Sequence, residues 1–163
     1  MAQLRPIRIE GDIAYITLTQ GKVAIIDASD AEEVGQYNWC FDGSYASHTG
    51  HCHKVFLHRF IVKPPDDKDV DHIDNNKLDC RKKNMRICTR SQNIMNTGKR
   101  SNNTSGVKGV SWHEFNKKWR VQIKVNYKEI YLGYYDDIKI AAQAYREAAI
   151  KYHGEFAYLK EES

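Results

Sequence analysis

The chain has 163 residues and a formal net charge of +4, a length that suits one medium domain or two small ones. It contains no apolar run of transmembrane length, and residues 1–10 lack the apolar core of a signal peptide. These features exclude an integral membrane protein and predict a soluble, intracellular protein whose four cysteines are reduced thiols.

The charge is unevenly distributed along the chain. Residues 71–135 carry 14 basic and 5 acidic side chains, whereas the segments before and after them are net acidic. A polyanionic partner explains this pattern, because neutralisation of phosphates supplies most of the non-specific affinity for nucleic acid. A solvated basic face without a partner is the alternative.

The N-terminal part of the chain predicts a small β-rich portion. Strands within Arg5–Ile26 meet at a turn around Gly21, as in a hairpin. Ser29 or Asp30 can then cap a short helix that has acidic residues in its first turn. The aromatic residues after this helix are predicted core side chains, namely Trp39, Phe41 and Tyr45.

Histidines and cysteines raise the alternative of a structural zinc site. Three histidines lie close together, at His48, His51 and His53. A zinc site built from Cys52, Cys80 and a neighbouring histidine is conceivable, since thiolate sulfur and imidazole nitrogen are the usual zinc ligands. No Cys-x-x-Cys spacing accompanies them, so a loop with incidental histidines is the favoured interpretation.

The stretch from Val70 to Asn96 holds the candidate active site. An apolar run at residues 55–62 precedes it and ends before the Pro-Pro-Asp-Asp turn of residues 64–67. Asp71 can bind a hard cation through its carboxylate oxygens. His72, with an ordinary pKa of about 6.5, can act as a neutral base at physiological pH.

Asp71 and His72 are neighbours, and neighbouring side chains on a strand point to opposite faces. They can serve one site only at a strand end or a bend, which the Asp-Asn-Asn-Lys segment at residues 74–77 supplies. Asn93 lies 22 residues after Asp71, a separation that a hairpin and the first turns of a helix would span. The pattern therefore predicts two strands and a helix with a metal ion held between them.

The stretch D-H-I-D-N-N-K-L-D-C-R-x-x-N-M-R-I-C-T-R-S-Q-N resembles the His-Asn-His (HNH) nuclease motif, in the form found in phage and intron homing endonucleases. The resemblance implies the ββα-metal fold, in which Asp71 and Asn93 bind Mg²⁺ or Mn²⁺. It also implies that His72 activates a water molecule for attack on DNA. Asn84 would be structural and brace the long turn of the hairpin.

Two residues depart from the usual pattern of that family. Asn75 stands where the family often has glycine, and it is a reasonable substitute if its φ is positive. Cys80 stands where the family usually has asparagine, and the weaker hydrogen bonding of a thiol predicts a looser turn. A His-Arg pair commonly precedes the motif, here His58 and Arg59. We expect His58 to help build the core without a catalytic role, and Arg59 to approach the DNA backbone.

Residues 97–106 are polar, contain glycine and have no apolar side chain to bury in a core. They predict a basic linker between an N-terminal and nuclease portion at 1–96, with its motif at 55–96, and a second domain at 107–160. Lys99 and Arg100 would track a phosphate backbone where the linker crosses DNA.

The second domain predicts three strands and a helix. The middle strand alternates apolar with polar residues, which indicates a half-buried antiparallel sheet. Its polar face presents Arg120, Gln122 and Lys124, residue types that contact bases and phosphates. Asp137 then caps a helix over about 138–152, whose alanines allow close packing on the sheet.

This pattern, with V-K-G-V, Y-L-G-Y-Y and A-A-Q-A-Y-R-E-A-A, resembles the plant ethylene-response-factor (Apetala-two type) DNA-binding domain over about residues 105–159. The resemblance implies a sheet that enters the major groove with the helix behind it. The DNA-contacting positions that it implies include Lys108, Gln122, Lys124 and Tyr131, with Arg120 as an extra candidate. Ser111, His113 and Glu129 depart from arginine, so the plant domain's target sequence does not carry over.

The sequence thus predicts an α+β protein: a ββα-metal nuclease module with an N-terminal β-rich portion, and after it a three-stranded antiparallel sheet and one helix. We expect double-stranded DNA and Mg²⁺ or Mn²⁺ as partners, without an organic cofactor or a membrane. The resemblance implies a phage or mobile-element protein acting in the cytoplasm of a bacterial host. Two alternatives remain: a DNA-binding regulator with a decayed nuclease module, and a protein with structural zinc.

Overall fold

The computed structural model describes residues 4–50 and 53–160, and the chain divides into two compact units, 1–89 and 90–163. Both units combine small antiparallel sheets with short helices, so the predicted α+β class is confirmed. The boundary between the units precedes the helix that carries Asn93, whereas the predicted nuclease portion extends to residue 96. No helix in the described ranges is long and apolar enough to cross a membrane.

The first unit begins with a three-stranded antiparallel sheet in the order β1-β2-β3. Its strands are β1 (Ile7–Glu10), β2 (Ile13–Thr17) and β3 (Val23–Asp27). The turn between β2 and β3 has positive φ at Gln20 and Gly21, as the predicted glycine turn requires. Alternate residues of β2 and β3 are buried, and helix α1 (Ala31–Val34) packs into the same core.

A second antiparallel sheet of this unit leads into helix α2. It consists of β4 (Cys40–Phe41), β5 (Ala46–Thr49) and β6 (Lys54–Phe56), and α2 spans Leu57–Val62. The apolar run at residues 55–62 is therefore the end of a strand and the helix after it. The helix ends at Val62, and the next residue, Lys63, adopts the left-handed conformation. Trp39 is buried beneath these elements, and its indole N–H donates to the Val34 carbonyl at 3.0 Å.

The third sheet of the unit is the hairpin of β7 (Asp69–His72) and β8 (Met85–Cys88). The loop between these strands lies against β3 through backbone hydrogen bonds. The Ile25 N–H donates to the Leu78 carbonyl at 2.8 Å, and the Cys80 N–H donates to the Ile25 carbonyl at 2.7 Å. The N-terminal sheet thus supports the loop that comes after His72.

The second unit contains helix α3 (Arg90–Met95), a sheet in the order β11-β10-β9, and a long helix α4 (Ile138–His153). The strands are β9 (Val110–His113), β10 (Lys118–Val125) and β11 (Lys128–Tyr135). Val121 and Ile123 of β10 are buried with Ala141 and Tyr145 of α4, as the alternation predicted. The Asp137 carboxylate accepts hydrogen bonds from the first turn of α4, as expected of an N-cap.

The segment between α3 and β9, predicted as a linker, forms a hydrogen-bonded loop. The Asn103 side-chain oxygen accepts from the Gly106 N–H at 2.8 Å, and the Ser105 hydroxyl donates to the Val110 carbonyl at 2.7 Å. The segment was predicted to be a linker because it has no apolar side chain to bury in a core. Its polar side chains nevertheless anchor it, because they form hydrogen bonds to nearby backbone groups.

Gly109 at the end of this loop offers a test of the second unit's packing. Its φ is +73°, and an added Cβ would overlap the Tyr145 ring and lie 2.6 Å from the Gln122 carbonyl oxygen. We expect Gly109→Ala to destabilise the second unit by about 2–4 kcal/mol, from backbone strain and overpacking. Gly106→Ala is the control, because Gly106 has a φ of +78° but open space around it. Urea unfolding would give equal losses for both variants if the close contact at Gly109 were unimportant.

Candidate active site

The hairpin places His72 at the last position of β7, where the chain turns. The Asn75 N–H donates to the His72 carbonyl at 2.9 Å, and Asn75 has a φ of +61°. This is the positive φ that would make asparagine a suitable replacement for the glycine frequent at this position. Asp71 and His72 therefore occupy the strand end that the sequence argument required.

Asp71 lies directly opposite Arg86 on the neighbouring strand. The Arg86 Nε and Nη2 groups both donate to Asp71 Oδ2, at 2.9 and 2.7 Å. The Asp71 side chain is 5% exposed and that of Arg86 is 15% exposed, so this ion pair is largely shielded from water. A buried carboxylate is stable as an anion when it has such a partner.

His72 lies on the other side of the strand, in a cluster of rings and a thiol. Its ring centroid is 5.2 Å from that of His58 and 6.2 Å from that of Tyr45, and Cys80 Sγ is 3.9 Å from His72 Nε2. Burial lowers the pKa of His72 from its ordinary value, although the Asp71 and Asp74 carboxylates act in the opposite direction. The ring is therefore neutral near pH 7, which is the form that can accept a proton.

His58 is a component of this cluster that sequence reasoning placed in the core without a role at the site. Its ring stacks on Phe56 at 5.6 Å and packs against Tyr45 at 5.1 Å. Burial, with the nearby His72 and Arg59, lowers its pKa to about 3, so the ring stays neutral. The single sequence signal for its position was the His-Arg dipeptide before the motif.

Asn84 and Cys80 shape the loop that comes after His72. The Asn84 side-chain oxygen accepts from the Asp74 N–H at 3.1 Å, and its Nδ2 donates to the Asp79 carbonyl at 2.9 Å. Cys80 is fully buried, and burial raises the pKa of its thiol to about 12. The buried thiol and these cross-loop bonds stabilise the turn, and the looser turn expected from cysteine in place of asparagine stays a prediction.

Removing the Asn84 amide is expected to loosen this loop. Asn84→Ala would leave the Asp74 N–H and the Asp79 carbonyl without their partner, at a cost of about 2–4 kcal/mol. Asn76→Ala is a suitable control, because the exposed Asn76 side chain accepts one bond, from Leu78 N at 3.2 Å. Chemical denaturation of both variants would measure the difference. Equal losses would show that Asn84 does not brace the loop.

The predicted metal ligands are Asp71 on β7 and Asn93 on α3. Asn93 belongs to the second unit, so its approach to Asp71 remains a prediction. Among the described residues there is no group of three or more His, Cys, Asp and Glu side chains that could hold a metal ion. A carboxylate and an amide oxygen nevertheless suit Mg²⁺, which needs few protein ligands because it retains waters and binds substrate phosphates.

The zinc alternative draws no support from the described part of the site. Cys80 contacts His72 within the buried cluster, whereas Cys52 and His51 lie outside the described residues.

Several side chains predicted to contact DNA lie on the outer face of the second unit's sheet. Gln122 is paired with Tyr131 across β10 and β11, and Arg120 lies opposite Ser111 and Tyr134. Tyr131 and the Lys124 side chain are exposed, so this face presents both an aromatic ring and a positive charge. The Gln122 side-chain oxygen is buried and has no hydrogen-bond partner among the described residues.

Other predicted DNA contacts make internal hydrogen bonds. The Lys108 ammonium donates to the Met95 carbonyl at 2.8 Å and also to the Thr97 carbonyl. The Arg59 guanidinium donates to the Lys68 carbonyl at 2.9 Å. These bonds compete with a role in DNA binding and favour a structural one. Lys99 and Arg100 lie on the exposed surface of the 97–106 loop.

Comparison with known proteins agrees with the geometry of the hairpin. Residues 56–95 match the family model described as HNH endonuclease. Protein 3.8 of Escherichia phage T7 is 33% identical over 91 residues, which cover 56% of this chain and 74% of that protein. An uncharacterized HNH endonuclease of Acanthamoeba polyphaga mimivirus is 33% identical over 112 residues, which cover 63% of this chain and 59% of that protein. No solved structure matches the chain.

The hairpin site and the family match define the class of protein as one with an HNH endonuclease domain. The chain belongs to the family of phage T7 Protein 3.8. The matches confirm the predicted HNH nuclease resemblance and its phage and viral context. The likeness of the C-terminal domain to the Apetala-two type remains a prediction.

Proposed function

We propose that this protein is a metal-dependent DNA endonuclease of the homing or mobile-element type. The observation that carries the proposal is the end of β7, where a neutral, buried His72 adjoins a buried Asp71 paired with Arg86, within the matched HNH segment. The same pair of groups, one basic and one anionic, is what hydrolysis of a phosphodiester by a metal-assisted route needs.

The chemistry divides between the two residues. His72 accepts a proton from the attacking water, and its contacts with His58 and Cys80 hold the ring in one orientation. Asp71 is the anionic ligand of the hairpin, and Asn93 is the predicted second ligand. A bound Mg²⁺ or Mn²⁺ ion supplies stabilisation of the negative charge that develops on the scissile phosphate and the leaving oxygen.

The second unit would supply affinity and site preference on double-stranded DNA. The excess of basic residues in 71–135 and the exposed Lys124 and Tyr131 support this assignment. Arg120 would read bases, whereas Lys99 and Arg100 would bind phosphates. Gln122 would contribute to base reading only if its buried side-chain oxygen became accessible on binding. One candidate site per chain suggests a nick, and a double-strand break would need a second copy or sequential cutting.

Relaxation of supercoiled plasmid in the presence of Mg²⁺ or Mn²⁺ tests the proposal. We expect nicked product with metal and none after EDTA, with binding of the same DNA measured by gel shift. DNA binding without cutting, on DNA from the protein's native context as well, would contradict the nuclease and favour the regulator with a decayed module. Absence of both binding and cutting would contradict both functions.

A further inference from the structure

The carboxylate proposed to bind the metal already has a positively charged partner. Two N–H groups of Arg86 converge on Asp71 Oδ2 at 2.7 and 2.9 Å, from the position directly opposite on the neighbouring strand. Both side chains are largely buried, so solvent ions screen this interaction only weakly. A divalent cation at Asp71 would therefore be added beside a fixed positive charge.

Two cations that share one buried carboxylate repel each other, and the affinity for the second cation falls. A phosphodiester that approaches the same place changes this balance. Its oxygens are additional ligands for a hard cation, and they offer the guanidinium a second anionic partner. The negative charge of the carboxylate and the phosphodiester together then balances both the guanidinium and the divalent cation.

We infer that Arg86 makes metal binding depend on DNA. In the DNA-free protein the guanidinium neutralises Asp71 and keeps the affinity for a divalent cation low. The phosphates of bound DNA restore the negative charge, so the ion binds tightly only with the substrate in place. The inference rests on the proposed function, and it makes Arg86 a positioning residue that acts through Asp71.

The hairpin loop contains a matched pair that serves as a control. Arg81 donates from Nε to Asp79 Oδ1 at 2.8 Å and from Nη2 to Asp79 Oδ2, and the Asp79 side chain is as buried as that of Asp71. Neither residue is a predicted metal ligand. A variant of Arg81 removes the arginine partner of the buried Asp79 carboxylate, as a variant of Arg86 does for Asp71. It leaves the charge at Asp71 unchanged.

Calorimetric titration with Mn²⁺ tests the inference on the whole protein. Arg86→Gln retains a donor for Asp71 but removes the charge, and we expect it to bind Mn²⁺ at least ten-fold more tightly than wild type without DNA. Arg86→Lys keeps the charge and should remain within about three-fold of wild type. Arg81→Gln should also leave the affinity unchanged. The double variant Asp71→Asn/Arg86→Gln should lose the gain, because the added ion binds at Asp71.

The DNA arm uses His72→Ala, which should bind DNA without cutting it during the titration. Duplex DNA is expected to raise the Mn²⁺ affinity of this protein more than ten-fold, and much less when Arg86→Gln is added. Unchanged Mn²⁺ affinity in Arg86→Gln, an equal gain in Arg81→Gln or no effect of DNA would overturn the inference. If Arg86→Gln did not fold, the inference would be tested by the effect of DNA on the Mn²⁺ affinity of His72→Ala, in which Arg86 is retained.

Plasmid cleavage measured in parallel separates this inference from the proposed function. Metal-dependent cutting by wild type together with unchanged Mn²⁺ affinity in Arg86→Gln would overturn the role of Arg86 and leave the nuclease intact. The expected changes in Mn²⁺ affinity without any cutting would support the role of Arg86 and contradict the nuclease.

Discussion

Replacement of His72 by alanine is expected to lower the rate of DNA cleavage by about 100- to 10,000-fold, the usual contribution of a general base. The imidazole is the neutral group at the end of β7, and burial favours its neutral form. DNA affinity should change little, because the basic residues of 71–135 supply most of the positive charge. Single-turnover cleavage with Mg²⁺, together with a gel shift, measures both quantities.

His53→Ala is the matched control, because this exposed histidine of the same unit lies outside the cluster around His72. It should cut DNA at the wild-type rate. Full activity in His72→Ala would show that another group accepts the proton, and the mechanism given above would then be wrong. Circular dichroism would show whether His72→Ala had lost its cutting activity only because it did not fold. In that case His72→Asn would serve as a smaller perturbation.

Acidification is expected to destabilise the first unit through His58. The folded protein holds the pKa of this ring at about 3, whereas its ordinary value is 6.5. The unfolded chain therefore binds a proton more readily than the folded one between these values. Protonation of His58 therefore does not lower the free energy of unfolding above pH 6.5, and it lowers it progressively as the pH falls toward 3. The loss attributable to His58 between pH 7 and pH 4 is about 3 kcal/mol.

His58→Leu removes the titrating group and keeps a similar apolar volume. Its thermal unfolding temperature should decline less than that of wild type between pH 7 and pH 4, and at pH 4 it should be the more stable protein. His113→Leu, in the second unit, controls for the loss of a histidine elsewhere. Parallel declines of wild type and His58→Leu would show that the His58 ring is protonated in the folded state.

Elements defined by local sequence were predicted well. The alternation in β10 correctly placed Val121 and Ile123 in the core, because a strand with one buried face must alternate. Asp137 was correctly predicted to cap α4, because its carboxylate bonds to N–H groups only two and three residues away. The position of His72 at a strand end was also predictable from neighbouring residues, namely the turn formers after it.

Features that depend on distant parts of the chain were not predicted. The contact of His58 with His72 joins a helix to a strand, and no periodicity encodes it. The hydrogen bonds between Ile25 and the hairpin loop use backbone N–H and carbonyl groups, which every residue type except proline possesses. Likewise, the internal bonds of Lys108, which compete with its predicted DNA contact, are recognised only after the carbonyls around it are known.

The bonds between Ile25 and the hairpin loop also bear on how this nuclease can be divided. The family match begins at residue 56, but the loop after His72 is completed by a strand more than forty residues upstream of Asp71. A fragment that began at residue 56 would expose the Leu78 carbonyl and the Cys80 N–H, and would open the core that Cys80 shares with Ile26. The smallest portable piece that keeps the hairpin loop supported is therefore the whole first unit, and not the matched segment alone. Recombination or truncation that separates β3 from the hairpin would transfer the motif without the support for its loop.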